Sequence, residues 1–261
     1  MAYKWITYNV DDQGAARIAL DDPESMNAAN PDMGLELVDA FDRASSEARA
    51  VLLTGEGKAF CSGGNLAEAR KILDDPRRDF GEQLELSLNA VLVAIKRIDM
   101  PVVTAIRGPA AGYGAGLAAA GDIVMMGESA FFYLAFRHVG LVPDGGSTYL
   151  LAKAVGRVRA MELMLLGEKL PAAKALEWGL ATRVVPDDEL DAAALEMTRQ
   201  LANGPRSLGM MKRMAWEAID GGFEAALDSE RRMQREAGRS DDFIEGVMAF
   251  GEKRKPEFKG R

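Results

Sequence analysis

Two short apolar runs in this chain each lead into a glycine-rich loop and then into a predicted helix. The runs are "AVLLT" (residues 50–54) and "PVVTAI" (residues 101–106), and the loops that follow them are "GEGKAFCSGG" and "RGPAAGYGAG". A continuous apolar run of this length is typical of a strand buried on both faces of a parallel sheet. The repeated order of strand, loop and helix, with a weaker copy at "DIVMM" (residues 122–126), predicts an α/β fold in which helices pack on a sheet.

The segments around these runs extend the prediction. Residues 4–10 and 14–20 predict two strands of a hairpin around the turn "DDQG". Apolar periodicity predicts helices over residues 32–47 and 80–98. From about Asp187 onward the pattern is helical, and an apolar stripe there either packs in the core or forms a subunit interface. The stripe consists of Met210, Met211, Met214, Ala215 and Ile219.

The second glycine tract, "GPAAGYGAGL" (residues 108–117), contains no acid, base or nucleophile. Glycine removes side chains, so such a tract can bring peptide N–H groups close to a ligand. The tract does not match the dinucleotide-binding pattern G-x-G-x-x-G, because Leu117 stands at the sixth position. Each of the two loops opens a predicted helix and can direct one or two free N–H groups outward. Two such groups that meet at one point form an oxyanion hole.

Charge, cysteine and histidine content exclude several classes of function. The chain has 40 acidic and 32 basic residues, a net charge of −8, which disfavours a nucleic-acid-binding surface. One cysteine, Cys61, and one histidine, His138, cannot form an internal disulfide or a usual zinc site. We interpret Cys61 as a packing residue and His138 as a packed or surface residue. Without a signal-peptide core or an apolar stretch of 18 residues, the sequence predicts a cytoplasmic protein with no membrane span.

Three further motifs occur in the order found in one known family. They are "MNAAN" (residues 26–30), "AVLLTGEGKAFCSGGNL" (residues 50–66) and "VGLVPDGGSTYLL" (residues 139–151). On these motifs the chain resembles the crotonase superfamily, also called the enoyl-CoA hydratase/isomerase family, and within it the isomerase-like members with a "GLVPDGG" turn. The likeness extends from about Gly14 to Phe258 and includes "RAMELMLLGEKLPAAKALEWGLATRVVP" and "FGEKRKPEF".

The resemblance implies a crotonase-type spiral of ββα units over residues 1–196, followed by a helical trimerisation segment over residues 197–261. Members of the family assemble as trimers or dimers of trimers, so we expect a homotrimer or a dimer of trimers. They bind acyl-CoA thioesters and stabilise an enolate formed at the thioester carbonyl. CoA is then part of the substrate, and we expect no separate cofactor, no metal and no nucleic-acid or membrane partner.

The resemblance also implies the residues of the site. The two oxyanion-hole donors are the backbone N–H groups of Gly64 and Tyr113. Tyr113 stands where glycine is common in the family, and its ring either narrows the acyl pocket or only packs. The residues that the resemblance assigns to CoA are Ser25, Met26, Ala28, Ala59, Gly64, Tyr113, Phe250 and Lys253, of which the last two would reach the CoA of a neighbouring subunit.

The acids that hydratases of this family use are missing. Hydration divides proton transfer between two glutamates, and the matching positions hold Gly116 and Phe136. Asp144, in "VPDGG", remains, and it is either the acid/base of an isomerase-like reaction or an N-cap of the next helix. The family turn favours the catalytic role, in which Asp144 moves a proton from one carbon to another. Burial would raise its pKa from about 3.9.

Two alternatives to an isomerase stay open. The chain could be a hydratase that uses an acid from the variable segment 67–85, or a non-catalytic acyl-CoA binder. The acids of that segment are Glu68, Asp74, Asp75, Asp79, Glu82 and Glu85. The sequence does not indicate the acyl group, because the pocket walls come from this segment and from the helical tail.

Overall fold

The structure is a computed structural model that describes residues 3–66, 70 and 73–261. The strands in those residues are β1 (Ile6–Val10), β2 (Ala15–Leu20), β3 (Ala50–Gly55), β4 (Val102–Ile106), β5 (Pro109–Ala111), β6 (Ile123–Gly127), β7 (Phe131–Tyr133), β8 (Lys169–Pro171) and β9 (Arg183–Val185). In that part of the chain they form a six-stranded sheet, in the order β1-β2-β3-β4-β6-β9, and a three-stranded sheet, in the order β5-β7-β8.

The large sheet is the parallel sheet that the apolar runs predict. Strands β2, β3, β4, β6 and β9 run parallel to one another, and β1 pairs with β2 in the predicted antiparallel hairpin. Val51 of β3 lies opposite Val102 of β4. Every residue of β4, and every residue of β3 before Gly55, is buried. Burial on both faces explains why these two strands are apolar along their length.

Helices connect the strands and follow them. They are α1 (Pro31–Glu47), α2 (Asn89–Arg97), α3 (Tyr113–Ala119), α4 (Ser147–Leu166), α5 (Ala172–Glu177), α6 (Leu190–Ala202), α7 (Ser207–Asp220), α8 (Phe223–Ala237) and α9 (Asp241–Glu252). The predicted helix over residues 80–98 differs in one respect, because a π-helical turn, Leu84–Leu88, precedes α2. Among the described residues, no helix is both long and apolar enough to span a membrane.

The large sheet is covered by helices on both faces. On one face α1 contributes Leu37 and Phe41 to the main hydrophobic core, which also contains Leu53 of β3. On the other face α6 packs Leu190 in a cluster with Leu52 of β3. Neighbouring residues of one strand therefore serve opposite layers, as the alternation of side chains along a strand requires.

The C-terminal part of the chain consists of α7, α8, α9 and a tail. The sequence-based boundary after residue 196 falls inside α6, which packs on the sheet, so we propose that this part begins after Ala202. The predicted stripe on α7 is divided, since Met210 is buried whereas Met211 is 56% exposed. Core packing therefore accounts for only part of the stripe. On α9, Phe250 is 88% exposed.

A buried carboxylate holds the tail against the C-terminal helices. Asp242 accepts hydrogen bonds from the backbone N–H groups of Arg206 at 2.9 Å, Lys259 at 2.7 Å and Gly260 at 3.0 Å. Its own N–H donates to the carbonyl oxygen of Arg261 at 3.0 Å. Hydrogen bonds to an ionised acceptor are stronger than neutral ones, so Asp242 fixes the path of the tail.

Candidate active site

The two glycine-rich loops lie side by side because their backbones are hydrogen-bonded. Cys61 and Ala110 form an isolated parallel bridge. The Ala111 N–H donates to the Cys61 carbonyl oxygen at 2.9 Å, and the Cys61 N–H donates to the Pro109 carbonyl oxygen at 3.2 Å. These bonds lie just beyond the paired strands β3 and β4. Strand pairing therefore sets the position of one loop relative to the other.

The loops touch again two residues further along. Gly63 and Gly112 have φ values of +100° and +51°, in the region that favours glycine. A Cβ built on Gly63 would lie 3.0 Å from the Ala111 carbonyl oxygen and 3.5 Å from the Gly112 Cα. Gly64 and Tyr113 therefore each follow a residue, Gly63 or Gly112, that contacts the other loop.

Gly64 and Tyr113 have N–H groups that donate no hydrogen bond within the described part of the chain. Gly64 is exposed and bridges to Ala29, whose N–H donates to the Gly63 carbonyl oxygen at 2.7 Å. In this parallel pairing Ala29 bonds to the residues on either side of Gly64, so the Gly64 N–H points away from Ala29. Tyr113 begins α3, where an N–H has no acceptor within the helix. The structure thus brings both predicted donors onto adjoining loops, and their use by one ligand oxygen stays a prediction.

The Tyr113 side chain is buried. It is 2% exposed, and its hydroxyl donates to the Leu88 carbonyl oxygen at 2.8 Å. Burial raises the pKa of the phenol well above its ordinary value of 10.0, so the group stays neutral. The ring is therefore packed inside the chain, and its narrowing of an acyl pocket stays a prediction.

Asp144 lies in the turn before α4, and its carboxylate does not cap that helix. The N-cap is Gly146, with φ of +67°, and no side chain makes a capping hydrogen bond there. The N–H and the hydroxyl of Ser147 donate to the backbone carbonyl of Asp144, at 3.0 and 2.6 Å. The alternative that Asp144 is an N-cap is therefore wrong, because it is the peptide oxygen that accepts these bonds.

The Asp144 carboxyl is half-buried. One of its oxygens is buried without a hydrogen-bond partner among the described residues. Burial raises the pKa of this carboxyl from 3.8 to about 6, because desolvation disfavours the charged form. A carboxyl with a pKa in this range can accept a proton and return it near neutral pH. The fully buried Cys61 thiol, by contrast, has its pKa raised to about 11 by burial and stays protonated.

The turn that carries Asp144 packs directly on Tyr113. Gly145 is buried and has φ of +59°. A Cβ built on Gly145 would lie 3.0 Å from the Tyr113 carbonyl oxygen and 3.3 Å from the Tyr113 Cα. The residue next to Asp144 therefore contacts the residue that supplies one of the two predicted N–H donors. This contact brings the turn that carries Asp144 against the second of the two glycine-rich loops, which we call the amide loops.

The two positions where hydratases of the resembled family have glutamates differ in their surroundings. At residue 116 this backbone leaves no room for a side chain, because a Cβ built on Gly116 would overlap the carbonyl oxygen of Gly145. Phe136 lies in a short 3-10 helix, Ala135–Val139, and is 7% exposed. Its ring carbon Cζ is 3.8 Å from a Cβ built on Gly112. An apolar ring therefore stands beside the second amide loop.

The residues that the sequence assigned to CoA at the amino-terminal side lie together. The Ser62 N–H donates to the Met26 carbonyl oxygen at 3.0 Å, and the Ser62 hydroxyl donates to the Ser25 carbonyl oxygen at 3.1 Å. Ala28 and Ala59 are buried within the same pair of segments. The loop that follows β2 is thus fixed to the first glycine-rich loop, and its contact with CoA stays a prediction.

Asn27 holds this arrangement together, and the sequence reasoning did not identify it. It is fully buried with φ of +56°, and its side-chain amide donates to the carbonyl oxygens of Ala59 at 2.8 Å and Glu56 at 3.0 Å. Asparagine is enriched among non-glycine residues in the left-handed region. An asparagine in "MNAAN", directly after a turn, was therefore the sequence feature that could have indicated this role.

The other candidate side chains lie in different places. Phe250 lines a groove with residues of α7, α8, α9 and the tail, and Lys253 ends α9 with φ of +56°. The structure of one chain does not bring these two residues to the amide loops. His138 is exposed, and its Nε2 lies 2.9 Å from the Gly167 carbonyl oxygen. The acids between residues 73 and 85 are exposed, and Glu68 lies outside the described residues.

Comparison with known proteins gives matches over nearly the whole chain. Residues 11–261 match a family model described as enoyl-CoA hydratase/isomerase. The chain is 40% identical to the 1,2-epoxyphenylacetyl-CoA isomerase of Escherichia coli (strain K12), over 96% of this chain and 97% of that protein. It is 42% identical to a protein of Rhodobacter capsulatus described as a probable enoyl-CoA hydratase, over 100% of both chains.

A solved structure agrees with these sequence matches. The crystal structure of a Mycobacterium abscessus protein, described as an enoyl-CoA hydratase/isomerase, matches this fold with a TM-score of 0.94 at 35% identity. The match covers 98% of this chain and 100% of the other. The parallel sheet, the amide loops and the C-terminal helices therefore belong to one shared architecture.

Proposed function

Because this chain belongs to the enoyl-CoA hydratase/isomerase family and has the crotonase fold, we propose that it shifts a double bond within an acyl-CoA thioester. Its relatives include proteins described as isomerases and proteins described as hydratases, so family membership does not choose between the two reactions. The observation that carries the choice is the single half-buried carboxyl of Asp144, beside the Tyr113 backbone, with no room for a second acid at residue 116.

In the proposed reaction, the N–H groups of Gly64 and Tyr113 donate to the thioester oxygen. The ionised carboxylate of Asp144 removes a proton from the α-carbon of a 3-enoyl-CoA, and the electron pair moves onto the thioester oxygen as an enolate. Two N–H groups fixed in advance stabilise that charge without reorganisation. The protonated Asp144 then returns the proton to the γ-carbon, which leaves the double bond between the α- and β-carbons. No water is consumed, so one carboxyl is sufficient.

The surroundings of this carboxyl favour isomerisation over hydration. Hydration requires one group to activate water and another to protonate carbon. The ring of Phe136 occupies one of the two positions that would supply such a group, and the other is the closed position at Gly116. The described acids of the segment 73–85 are exposed, whereas the Asp144 carboxyl is half-buried.

We further propose where CoA binds and how the chain assembles. Ser25, Met26, Ala28 and the backbone around Ala59 would contact CoA. A homotrimer or a dimer of trimers would cover the exposed apolar side chains of α9. Those side chains are Phe243, Ile244, Val247, Met248 and Phe250. In such an assembly Phe250 and Lys253 would reach the CoA of a neighbouring subunit.

Product analysis tests the proposed reaction. Incubated with a 3-enoyl-CoA in isotopically labelled water, the protein should form the 2-enoyl-CoA without gaining labelled oxygen, and deuterium oxide should exchange at the α-carbon. A labelled 3-hydroxyacyl-CoA made from a 2-enoyl-CoA would instead establish a hydratase. Binding without reaction or exchange, across straight-chain, branched, aromatic and alicyclic thioesters, would establish a non-catalytic binder.

A further inference from the structure

The phenol of Tyr113 connects the residue that carries one predicted N–H donor to the helical segment 84–97. We propose that Tyr113 is a positioning residue, whose hydroxyl fixes the direction of its own backbone N–H by bonding to the helical segment 84–97. This inference rests on the proposed function, since it assumes that the Tyr113 N–H contacts the thioester oxygen. It concerns the side chain, which a glycine at this position would lack.

The anchor is a hydrogen bond between two buried groups. The Tyr113 hydroxyl donates to the Leu88 carbonyl oxygen at 2.8 Å, and the side chains of both residues are buried. Leu88 is the last residue of the π-helical turn Leu84–Leu88. A π-turn inside a helix is uncommon and is often found at a functional site. A carbonyl has two lone pairs, so this one can accept the phenol in addition to any helical bond.

The same helical segment touches the turn that carries Asp144. Leu92 follows Leu88 by four residues and so lies on the same face of the helix. The Leu92 Cδ1 atom is 3.1 Å from a Cβ built on Gly146, and the Tyr113 ring carbon Cδ2 is 3.0 Å from a Cβ built on Gly145. The Tyr113 ring therefore lies between the helical segment and the Asp144 turn.

The Tyr113 hydroxyl adds a side-chain anchor to the main-chain contacts of this loop, such as the Gly112 N–H that donates to the Tyr133 carbonyl oxygen at 2.9 Å. Tyr113 begins a helix of seven residues, Tyr113–Ala119, with no side-chain cap. It is flanked by Gly112 and Gly114, and glycine permits more backbone conformations than other residues. An oxyanion donor is effective only when it is held in place before the charge develops. Fixing the ring at Leu88 and at Gly145 restricts the rotation of the Tyr113 peptide group.

The test is Tyr113→Phe, which keeps the ring and the backbone N–H and removes only the hydroxyl. We expect kcat on a 3-enoyl-CoA to fall about tenfold, with KM little changed. The reason is that a less firmly held N–H group stabilises the transition state less than one fixed by the hydroxyl anchor. Tyr8→Phe is the matched control. It removes a tyrosine hydroxyl that donates to Glu47 at 2.9 Å, on β1 and away from the amide loops, and should leave kcat and KM unchanged.

A spectroscopic measurement separates positioning from general destabilisation. A saturated acyl-CoA is labelled with carbon-13 at its thioester carbonyl. Its carbonyl stretch should lie at lower frequency when it is bound to the wild type than when it is free in solution. Tyr113→Phe should reduce that displacement, and Tyr8→Phe should not. The signal comes from bound thioester alone, so it reports on folded protein even if the variant melts earlier.

The outcomes distinguish this inference from the proposed function. An unchanged kcat and an unchanged carbonyl displacement in Tyr113→Phe would overturn the inference and leave the isomerase proposal intact. If the wild type does not isomerise any 3-enoyl-CoA, the isomerase proposal fails. The carbonyl displacement would still show whether the Tyr113 hydroxyl positions the donor toward a bound thioester.

Discussion

The amide loops and the C-terminal helices differ in how tightly they are packed within one chain. At Gly63 and Gly116 an added Cβ would meet neighbouring backbone atoms. On α9, a Cβ added at Gly251 would have no atom within 4 Å, and Phe250 is 88% exposed. The first region is tightly packed within one chain, whereas the second leaves large apolar side chains for another surface to cover. We therefore expect changes in the loops to affect the chemistry and changes on α9 to affect assembly.

The largest effect should come from Asp144→Asn, which removes the proton acceptor and keeps the shape of the side chain. We expect kcat on a 3-enoyl-CoA to fall about 10²–10⁴-fold, the usual contribution of a general acid/base. Asp188→Asn, at an exposed carboxyl, is the control and should leave kcat unchanged. Wild-type turnover in Asp144→Asn would remove this residue from the mechanism.

The same substitution placed in both regions compares them directly. Gly116→Ala should destabilise the protein by about 1–3 kcal/mol, because its Cβ overlaps the Gly145 carbonyl oxygen and forces the backbone to move. It should also lower kcat by displacing the Asp144 turn. Gly251→Ala, within α9, should stabilise by up to about 0.5–1 kcal/mol. Urea unfolding measures both effects, and equal values for the two variants would contradict the difference in packing.

The pH dependence of turnover should report on the Asp144 carboxyl. Burial raises its pKa to about 6, and the ionised form is the base. We therefore expect kcat/KM to decrease about tenfold between pH 7 and pH 5, as the carboxylate is protonated. The residual activity of Asp144→Asn should lack this dependence. A wild-type midpoint near pH 4 would show that the carboxyl is not desolvated in the free enzyme.

The pH dependence of the free energy of unfolding should also report on the Asp144 carboxyl. The folded-state pKa of Asp144 lies above its ordinary value of 3.8, so between about pH 4 and pH 6 the folded chain binds more protons than the unfolded chain. Its ionisation therefore lowers the free energy of unfolding as pH rises through that range. Asp144→Asn should be at least as stable as the wild type at pH 7, when measured by urea unfolding.

The smallest effect on a single chain should come from Val247→Glu on α9. Val247 is exposed, so the stability of one chain should change by less than about 0.5 kcal/mol. If α9 is covered by a neighbouring subunit, the charge would be buried there and assembly should be lost, as measured by sedimentation. Gln200→Glu, at an exposed position on α6, adds the same negative charge and is the control. An unchanged oligomer in Val247→Glu would place the interface elsewhere.

Much of the candidate site could be predicted from the sequence because it is built largely from the backbone. Glycine-rich loops after two apolar runs predicted that peptide N–H groups are the functional groups, and the structure brings the two predicted donors, Gly64 and Tyr113, onto adjoining loops. The hairpin and the buried strands also follow from local patterns. These features depend on residue type over a few neighbouring positions, which a sequence displays directly.

Other features depend on contacts between distant residues and could not be predicted. The π-turn at Leu84–Leu88 and its bond to Tyr113 require knowledge of how two segments pack. Asp144 resembles an N-cap in sequence, but Gly146 adopts a left-handed conformation and moves the start of the helix to Ser147. The boundary after residue 196 stays a prediction, and the sequence alone does not show that it falls inside α6, a helix that packs on the sheet.

The pairing of Cys61 with Ala110 has a consequence for how such a protein can diversify. The spacing of the two loops is fixed by main-chain hydrogen bonds, so it is inherited with the register of two strands and not with any particular side chain. Substitutions nearby can alter which acyl group is admitted, or which residue carries the proton, while the proposed pair of N–H donors keeps its spacing. New specificities can then arise on this scaffold without rebuilding its catalytic geometry.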